Sequence, residues 1–500
     1  MDVINMFKNI VFRTSLFIIL LIAAIGIYNP ILLEEISTTI YTYIIEWFGW
    51  TYQLIVFLFL IFCIGLAFSK YGNVKLGKDH EKAQYSYFAW LSMLFAAGMG
   101  IGLIFWGVAE PLSHFMNPPD HIPNTSGDAA AFAMRYSFFH WGLQAWAIYI
   151  VMSLSLAYFT FRRDMPPLIS STFYPLLGDK IYGYPGHLIN VLAIFATVFG
   201  VATSLGLGAL QINSGLSMLY GIPDSIQFTI IIIGVLTILF LISGVIGLDK
   251  GMQIISKFNM LLALLLLLFI VIIGPTTYIF NVFISTLGEY TNRLLEMSLQ
   301  TFPFQGYDWT QAWTMFYWAW WIAWSPFVGL FIARISRGRT IKEFILGALF
   351  VPTLITFIWF SVFGGTALNL ELNKGIAIAN AATNEASTAL FIMFQQFPFS
   401  EILSIIAVIL LVLFFITSAD AATFVLGIMS SNGDMHPRPI KKLVWGLTQS
   451  ILAAVLLISG GLVALQQMSI AAALPFSLIM VLMCYNLLVA LYEEKNNPYL

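Results

Sequence analysis

Four tryptophans fall within seven residues of the stretch WAWWIAWSP, Trp318 to Pro326, and a second aromatic cluster lies in FHWGLQAWAIY, Phe139 to Tyr149. Rings in such density serve one of two chemical ends. A belt of tryptophans marks a membrane–water boundary, where the ring is apolar and its N–H finds a polar partner. A cage of ring faces holds a cation, and a quaternary ammonium above all, because that group makes no hydrogen bonds and is attracted by the ring quadrupole. Depth in the membrane separates the two. Helical spacing puts Tyr317, Trp320, Trp321, Trp324 and Phe327 on one broad face. Trp141, Trp146 and Tyr149 supply a second wall, and for each ring taken singly, ordinary packing between helices is the plain alternative. Pro326 cannot donate to the Ile322 carbonyl, which is freed near the same depth.

Three other stretches carry polar chemistry in apolar surroundings. In AAGMGIGLIFWGVAEP, residues 96–111, Gly98, Gly100 and Gly102 alternate. Alternating glycines let helices approach closely, or they mark an unwound centre whose carbonyls and N–H groups bind ions and carboxylates; both readings stand. In FFITSADAATF, residues 414–424, the adjacent hydroxyls of Thr417 and Ser418 precede Asp420. Hydroxyls and freed carbonyls suit a hard cation such as Na⁺, whereas Ser and Thr otherwise bond back to their own helix. Asp420 reads as a structural partner and His140 as a packing or network histidine. The third stretch, AIFATVFGVATSLGLG, offers Thr197, Thr203 and Ser204 without a Lys or Arg, which leaves sodium coupling open.

The elements that must position these groups follow from composition. Of 500 residues, 60% are hydrophobic and 9% charged, against roughly 25% charged in soluble domains, so the chain is a polytopic membrane protein. The net charge of -2 and the lack of a basic tract give no sign of nucleic acid as a partner. Cys63 and Cys484 lie in separate apolar runs and read as small buried hydrophobes. The early apolar run has no small-x-small cleavage pattern and reads as a first span. Runs of the roughly 20 residues a bilayer requires fall at 13–29, 48–69, 86–107, 135–160, 187–217, 226–247, 254–274, 313–333, 342–368, 402–428, 443–460 and 470–491. The organisation expected is two N-terminal spans in 1–85 and five spans in 86–274. A connector with an amphipathic helix follows in 275–312, then five more spans in 313–491 and a short cytoplasmic tail in 492–500.

Basic residues orient these spans. Of the 22 Lys and Arg residues, all but Arg135, Arg293 and Lys374 fall on the side of the N-terminus, so both termini are expected to be cytoplasmic. Span eight then runs inward to Arg334, which puts Trp324 roughly 15 Å above that arginine, near the middle of a ~30 Å core. Trp318 suits the outer belt; Trp320, Trp321 and Trp324 lie too deep for it. No nucleotide-binding motif GxxxxGK[ST] is present, so a transport cycle is expected to draw on a gradient.

Five motifs, GMGIGLIFWGVAEP, FHWGLQAWAIY, ATSLGLGALQIN, WAWWIAWSPFVGLFIARISRGRTI and TSADAATF, occur in order from span three to span ten. Together they resemble the betaine/choline/carnitine transporter family. The resemblance implies an all-α membrane protein of twelve transmembrane helices. Its fold would be the leucine-transporter-like one, with inverted five-helix repeats (spans three to seven and eight to twelve) behind two extra N-terminal helices. It further implies a homotrimer in the cell membrane, lipid as surroundings, Na⁺ as co-transported ion and no organic cofactor. Carried over residue by residue, the cage for a trimethylammonium group is Trp141, Trp146, Tyr149, Trp320, Trp321 and Trp324. Ala97, Gly98 and Met99 line the substrate, and Ser204 reaches its carboxylate side. One sodium site joins Ala96 and Met99 to Phe414, Thr417 and Ser418. A second involves Thr197 and Phe327, where Val201 departs from the pattern by offering no side-chain oxygen. Choline carriers of the family are similar to one another in an aspartate where this chain has Gly102, so the resemblance implies a zwitterion that brings its own carboxylate, glycine betaine before carnitine or choline.

Rival classes are a membrane enzyme acting on quaternary ammonium compounds or choline-type head groups, a channel and a sensor. An enzyme needs a nucleophile, metal cluster or acid–base pair at one membrane face, and the ionisable residues within the spans are sparse for that. The expectation is a transporter.

Overall fold

The computed structural model describes residues 8–98, 100–246, 249–304 and 306–496. Among these, the regular elements are helices, with one isolated bridge between Lys75 and Thr340. The longer ones are α1 (Ile10–Tyr28), α2 (Pro30–Ala67), α3 (Tyr87–Gly98), α4 (Ile101–Met116), α5 (Gly127–Trp141), α6 (Leu143–Ala157) and α7 (Tyr184–Tyr220). There follow α8 (Ile226–Ile246), α9 (Asp249–Ile273), α10 (Thr276–Leu299), α11 (Phe316–Ile335), α12 (Ile341–Lys374), α13 (Ser400–Met429) and α14 (Pro439–Asn496). Ten helices among the described residues are long and apolar enough to cross a bilayer, and α4 is a shorter apolar one.

Local chemistry sets the ends of these helices. The Asn9 side chain accepts from Phe12 N and opens α1. Asn29 closes α1, accepts from Leu32 N and precedes Pro30, so one residue both ends a helix and starts the next. Thr340 and Glu343 form a reciprocal capping box at the start of α12.

Three spans differ from the periodicity reading. The second begins at Pro30 rather than 48, because IYTYIIEWFGW is itself a good helix with Ile44 and Ile45 buried. The third is divided between α3 and α4. The last begins just after Gly461 rather than at 470: the final two spans, both within α14, are separated as expected by a non-helical break at Gly460 and Gly461, where φ is −167° and 61°. VALQQMSIAAAL beyond the break holds no proline or glycine to delay the new helix.

Burial is uneven. In the α5–α6 unit (Gly127–Arg162) and in Tyr307–Ile335, 94% of the most apolar stretch is buried, against 28% and 17% in α8 and α9. The first two are apolar on all sides and enclosed by protein; the other two present Ile231, Val235, Ile238, Leu261, Leu265 and Leu268 outward, as lipid-facing helices do. Helix α10 buries Ile279, Thr286, Tyr290 and Met297, which repeat on one stripe, and its Tyr290 reaches the joint between α5 and α6.

Candidate functional site

Two helix breaks organise the centre. The first separates α3 from α4: α3 closes at Gly98, and Gly100 has φ −157° and ψ −143° before α4 resumes at Ile101. The unwound reading of this glycine stretch therefore holds at Gly100, and the close-approach reading holds at Gly102. A Cβ at Gly102 would lie 2.6 Å from the Trp320 ring and 3.0 Å from the Trp141 ring, so a side chain there displaces an indole. A Cβ at Gly100 would lie 3.6 Å from the Ser418 hydroxyl and 3.9 Å from the Trp324 ring. The break thus sits between the deep tryptophan and the hydroxyl of α13. Met99 lies outside the described residues; Ala96, Ala97 and Gly98 end α3, with their side chains likewise outside the description.

The second break, at Gly142 (φ −95°, ψ −143°), separates α5 from α6 and was not signalled by periodicity. A Cβ there would lie 2.5 Å from the Phe138 carbonyl and 2.9 Å from the Tyr290 hydroxyl. Broken helices free backbone groups, which need partners in an apolar interior. Here other spans supply them: Trp321 Nε1 donates to the His140 carbonyl at 2.9 Å and Thr356 Oγ1 to the Trp141 carbonyl at 3.0 Å. Leu143 N donates to the Tyr290 hydroxyl at 3.3 Å.

Around these breaks the predicted cage residues meet ring to ring. Trp141 stands edge-on to Trp321 at 4.8 Å between centroids, and Trp320 stacks on Trp321 at 4.7 Å with 16° between planes. Tyr149 meets Trp321 at 6.1 Å and Trp146 at 5.7 Å; Trp324 meets Trp320 at 6.4 Å and Phe327 at 5.5 Å. All six predicted cage rings therefore form one connected set drawn from α5, α6 and α11, and all are buried. Trp324 Nε1 donates to the Gly200 carbonyl of α7 at 3.0 Å, and Ser204 Oγ donates to the same carbonyl at 3.3 Å. Tyr149 Oη and Trp320 Nε1 are buried donors without a protein partner among the described residues. Trp318, assigned from sequence to the outer belt, is instead buried and donates to Gln53 Oε1 of α2 at 2.9 Å, because α2 covers the N-terminal end of α11. The Ile322 carbonyl freed by Pro326 is taken up by Ser325 Oγ at 2.8 Å, so it offers no open ligand.

On the α13 side, Thr417 Oγ1 donates back to the Leu413 and Phe414 carbonyls at 2.9 and 3.2 Å. Its proton is thereby committed to the helix and its lone pairs point elsewhere. Ser418 faces the α3–α4 break through Gly100, and Phe414 is partly buried one turn before it. Thr197 donates to Ala193 O at 2.7 Å, and Thr203 to Phe199 O and, across to α14, to Leu465 O. Thr197 and Phe327 each lie about one turn from the place where Gly200 abuts Ala323 and Trp324.

Sequence reasoning missed the most connected group in the centre. Glu110 is fully buried on α4 with four side chains within hydrogen-bond distance of its oxygens. His140 Nδ1 (2.7 Å) and His114 Nε2 (3.2 Å) reach Oε1, and Trp141 Nε1 (2.8 Å) and the Tyr317 hydroxyl (2.5 Å) reach Oε2. The Trp141 and Tyr317 donors give Oε2 two bonds, and with protons on His140 Nδ1 and His114 Nε2 the Oε1 atom accepts two more, the set that an ionised carboxylate takes. His140 continues the network to Thr314 Oγ1 at 2.9 Å, in keeping with its reading as a network histidine. Glu110, His114 and His140 bring possible metal ligands within 4.8 Å of one another. Both carboxylate oxygens are already engaged by neighbouring side chains, so the cluster is a hydrogen-bond network centred on Glu110, with His114 Nδ1 buried and without a partner among the described residues. The available signal was an acid with a histidine at i+4 inside an apolar span, which is costly unless partnered.

The chain is similar to known proteins along nearly its whole length. The family described as BCCT, betaine/carnitine/choline family transporter, matches residues 10–496. The glycine betaine transporter OpuD of Bacillus subtilis (strain 168) is 48% identical over 472 residues, covering 94% of this chain and 92% of the relative. A probable glycine betaine transporter of Desulfitobacterium hafniense (strain Y51) is 45% identical, covering 97% and 98%. An ectoine/hydroxyectoine transporter of Virgibacillus pantothenticus is 44% identical, covering 95% of each.

Proposed function

Because this chain belongs to the betaine/carnitine/choline transporter family, we propose that it is a secondary active symporter importing glycine betaine with Na⁺ by alternating access. It is a multi-pass membrane transporter and not an enzyme. The proposal includes twelve spans arranged as two inverted five-helix repeats behind two leading helices. It also includes cytoplasmic termini, a plasma-membrane location and the homotrimer that the resemblance implies. Counting α3–α4 as one span, and α14 as two at Gly460–Gly461, supports the twelve.

The observation that carries the substrate reading is the connected set of six rings from the broken α5–α6 span and from α11, closed against the α3–α4 break. Ring faces hold a trimethylammonium group at about 0.5–2 kcal/mol each, so several together supply micromolar binding. The carboxylate of a betaine takes backbone donors at the break, with Ser204 beside it and the buried donors Tyr149 Oη and Trp320 Nε1 within the ring set. Gly102, which abuts the Trp320 and Trp141 rings, is neutral where the family resemblance gives choline carriers an aspartate, and this favours a zwitterion over choline. The close relative named for ectoine and hydroxyectoine favours a second reading: a cyclic amidinium carboxylate presents a flat, delocalised cation to the same faces.

Sodium enters as cargo. In this mechanism it binds between the α3–α4 break and the Phe414, Thr417 and Ser418 positions and ties α13 to the break before the substrate arrives. Thr197 and Phe327 are the second position proposed. The membrane potential then adds about 2.3 kcal/mol per charge per 100 mV, and the helices bearing the cage rock against the rest to open inward. The test is uptake of labelled glycine betaine into proteoliposomes with and without an inward Na⁺ gradient, competed by choline, carnitine and ectoine. Gradient-driven uptake displaced by unlabelled betaine is expected. Uptake indifferent to Na⁺ removes the coupling, stronger displacement by ectoine selects the second reading, and failure of counterflow removes the carrier.

A further inference from the structure

We propose that Glu110 is a positioning residue of the substrate cage, acting on the bound cation through the Trp141 N–H and, by way of His140, through Trp321. The inference rests on the cage reading given above. Glu110 stands behind the rings: its Oε2 holds the Trp141 indole N–H at 2.8 Å, and its Oε1 holds His140 Nδ1 at 2.7 Å. The His140 carbonyl in turn accepts the Trp321 indole N–H at 2.9 Å. Those two indoles stand edge to face at 4.8 Å, and they come from different spans. One carboxylate therefore bonds one cage wall at the Trp141 indole and, at the His140 side chain, the residue whose carbonyl holds the other. Tyr317, which packs against both at 5.8 Å from Trp141 and 5.9 Å from Trp321, is bound to the same Oε2.

Position is half of the effect; charge is the other half. An indole whose N–H donates to a full negative charge is polarised, and its ring face becomes more negative than that of an indole bonded to a neutral carbonyl. Trp141 has the charged acceptor, while Trp321 and Trp324 have backbone carbonyls. Trp141 is thus the ring whose attraction for a cation depends on Glu110, and the carboxylate places an anion in the layer behind the ammonium without touching it. The four neighbouring side chains keep that charge satisfied at a fully buried carboxylate.

The experiment measures binding and transport by the full chain, with glycine betaine and with tetramethylammonium, a probe lacking the carboxylate. Glu110→Gln keeps the shape and removes the charge. It is expected to weaken binding of both probes about ten- to a hundred-fold, the loss typical of a charge-assisted hydrogen bond. The change should appear in KM, with maximal rate within about three-fold. In a double-mutant cycle with Trp141→Phe, which keeps a ring and deletes the N–H, the two losses should not add. Glu110→Asp, still charged, should recover part of the affinity. Additive losses, a fall confined to maximal rate, or affinity for tetramethylammonium within about two-fold of wild type would each overturn the proposal. Should Glu110→Gln not be recovered folded, Tyr317→Phe and Thr314→Ala each strip one bond from the network while leaving Glu110 charged. A several-fold rise in KM from either supports the network, and wild-type KM from both overturns it. If the wild-type protein binds neither probe, the cage reading itself fails, and that result is distinguishable because it needs no variant.

Discussion

The two sides of the central site are built on opposite principles. On the α4–α5–α11 side, a buried carboxylate is saturated by four donors, and the indoles of Trp141, Trp321 and Trp324 each have a fixed acceptor. On the α13 side, Thr417 has bonded only back into its own helix, and Ser418 faces the α3–α4 break across the bare backbone of Gly100. A saturated network has one arrangement and holds the rings at set angles. A row of hydroxyls and carbonyls with uncommitted lone pairs can adopt a cation and release it. The difference teaches that the rigid half suits recognition, and the adaptable half suits the proposed coupling between an ion and a helix break.

Breaking the rigid half should have the larger consequence. Trp324→Leu removes a ring that touches Trp320 and Phe327 and leaves the Gly200 carbonyl without its indole donor. Betaine uptake should fall about a hundred-fold or more while the chain still reaches the membrane; near-normal uptake would dissolve the cage. Next is Gly102→Ala, whose Cβ has 2.6 Å to the Trp320 ring. Overpacking of about 1–3 kcal/mol, roughly five- to a hundred-fold in affinity, is expected, and titration of substrate binding reads it. An unaltered affinity would show that the rings yield freely and that their angles do not matter.

The adaptable half is sharpened by Thr417→Ala combined with Ser418→Ala. The sodium concentration for half-maximal uptake should rise several-fold, about 1 kcal/mol or more for lost ligands, with substrate affinity at saturating Na⁺ little changed. Unchanged sodium dependence moves the ion elsewhere. The smallest effect belongs to the loops, where the Arg337 guanidinium forks onto Glu81 at 2.9 and 2.6 Å. That hydrogen-bonded guanidinium holds the Glu81 carboxyl below its ordinary range. A carboxyl whose folded value is depressed stabilises above its unfolded value and loses that contribution as pH falls through the folded one. Arg337→Gln should therefore lower thermal stability by no more than about 1 kcal/mol near neutrality, a difference that fades on acidification below about pH 4. A destabilisation that persists in acid would point to packing of Arg337 on Phe161 instead.

Much of the centre was legible because its signals are local. Apolar runs and the placement of basic residues mark spans without reference to neighbours, and aromatic residues at i, i+3 and i+4 declare a face. The alternating glycines offered the α3–α4 break as one of two readings, because glycine is a poor helix former that also permits close approach, and the structure uses Gly100 for the first and Gly102 for the second. Gly142 gave no such signal. A lone glycine breaks a helix only when partners wait for the freed groups, and those partners, Tyr290, Thr356 and Trp321, stand 148, 214 and 179 positions further on, roughly counted from the break. Trp318 misled for the same reason: whether a tryptophan near a span's end faces lipid depends on α2, which the local pattern does not contain.

The sequence by itself determined that this protein crosses the membrane many times, where its rings gather and which spans carry hydroxyls, since hydropathy and helical periodicity act over a few turns. Only the tertiary structure decided what each buried polar atom bonds to. Glu110 looked like one acid in a motif; folding gave it donors from α4, α5 and α11. In an interior without water those pairings are settled by which helices meet, and no stretch of chain specifies that alone.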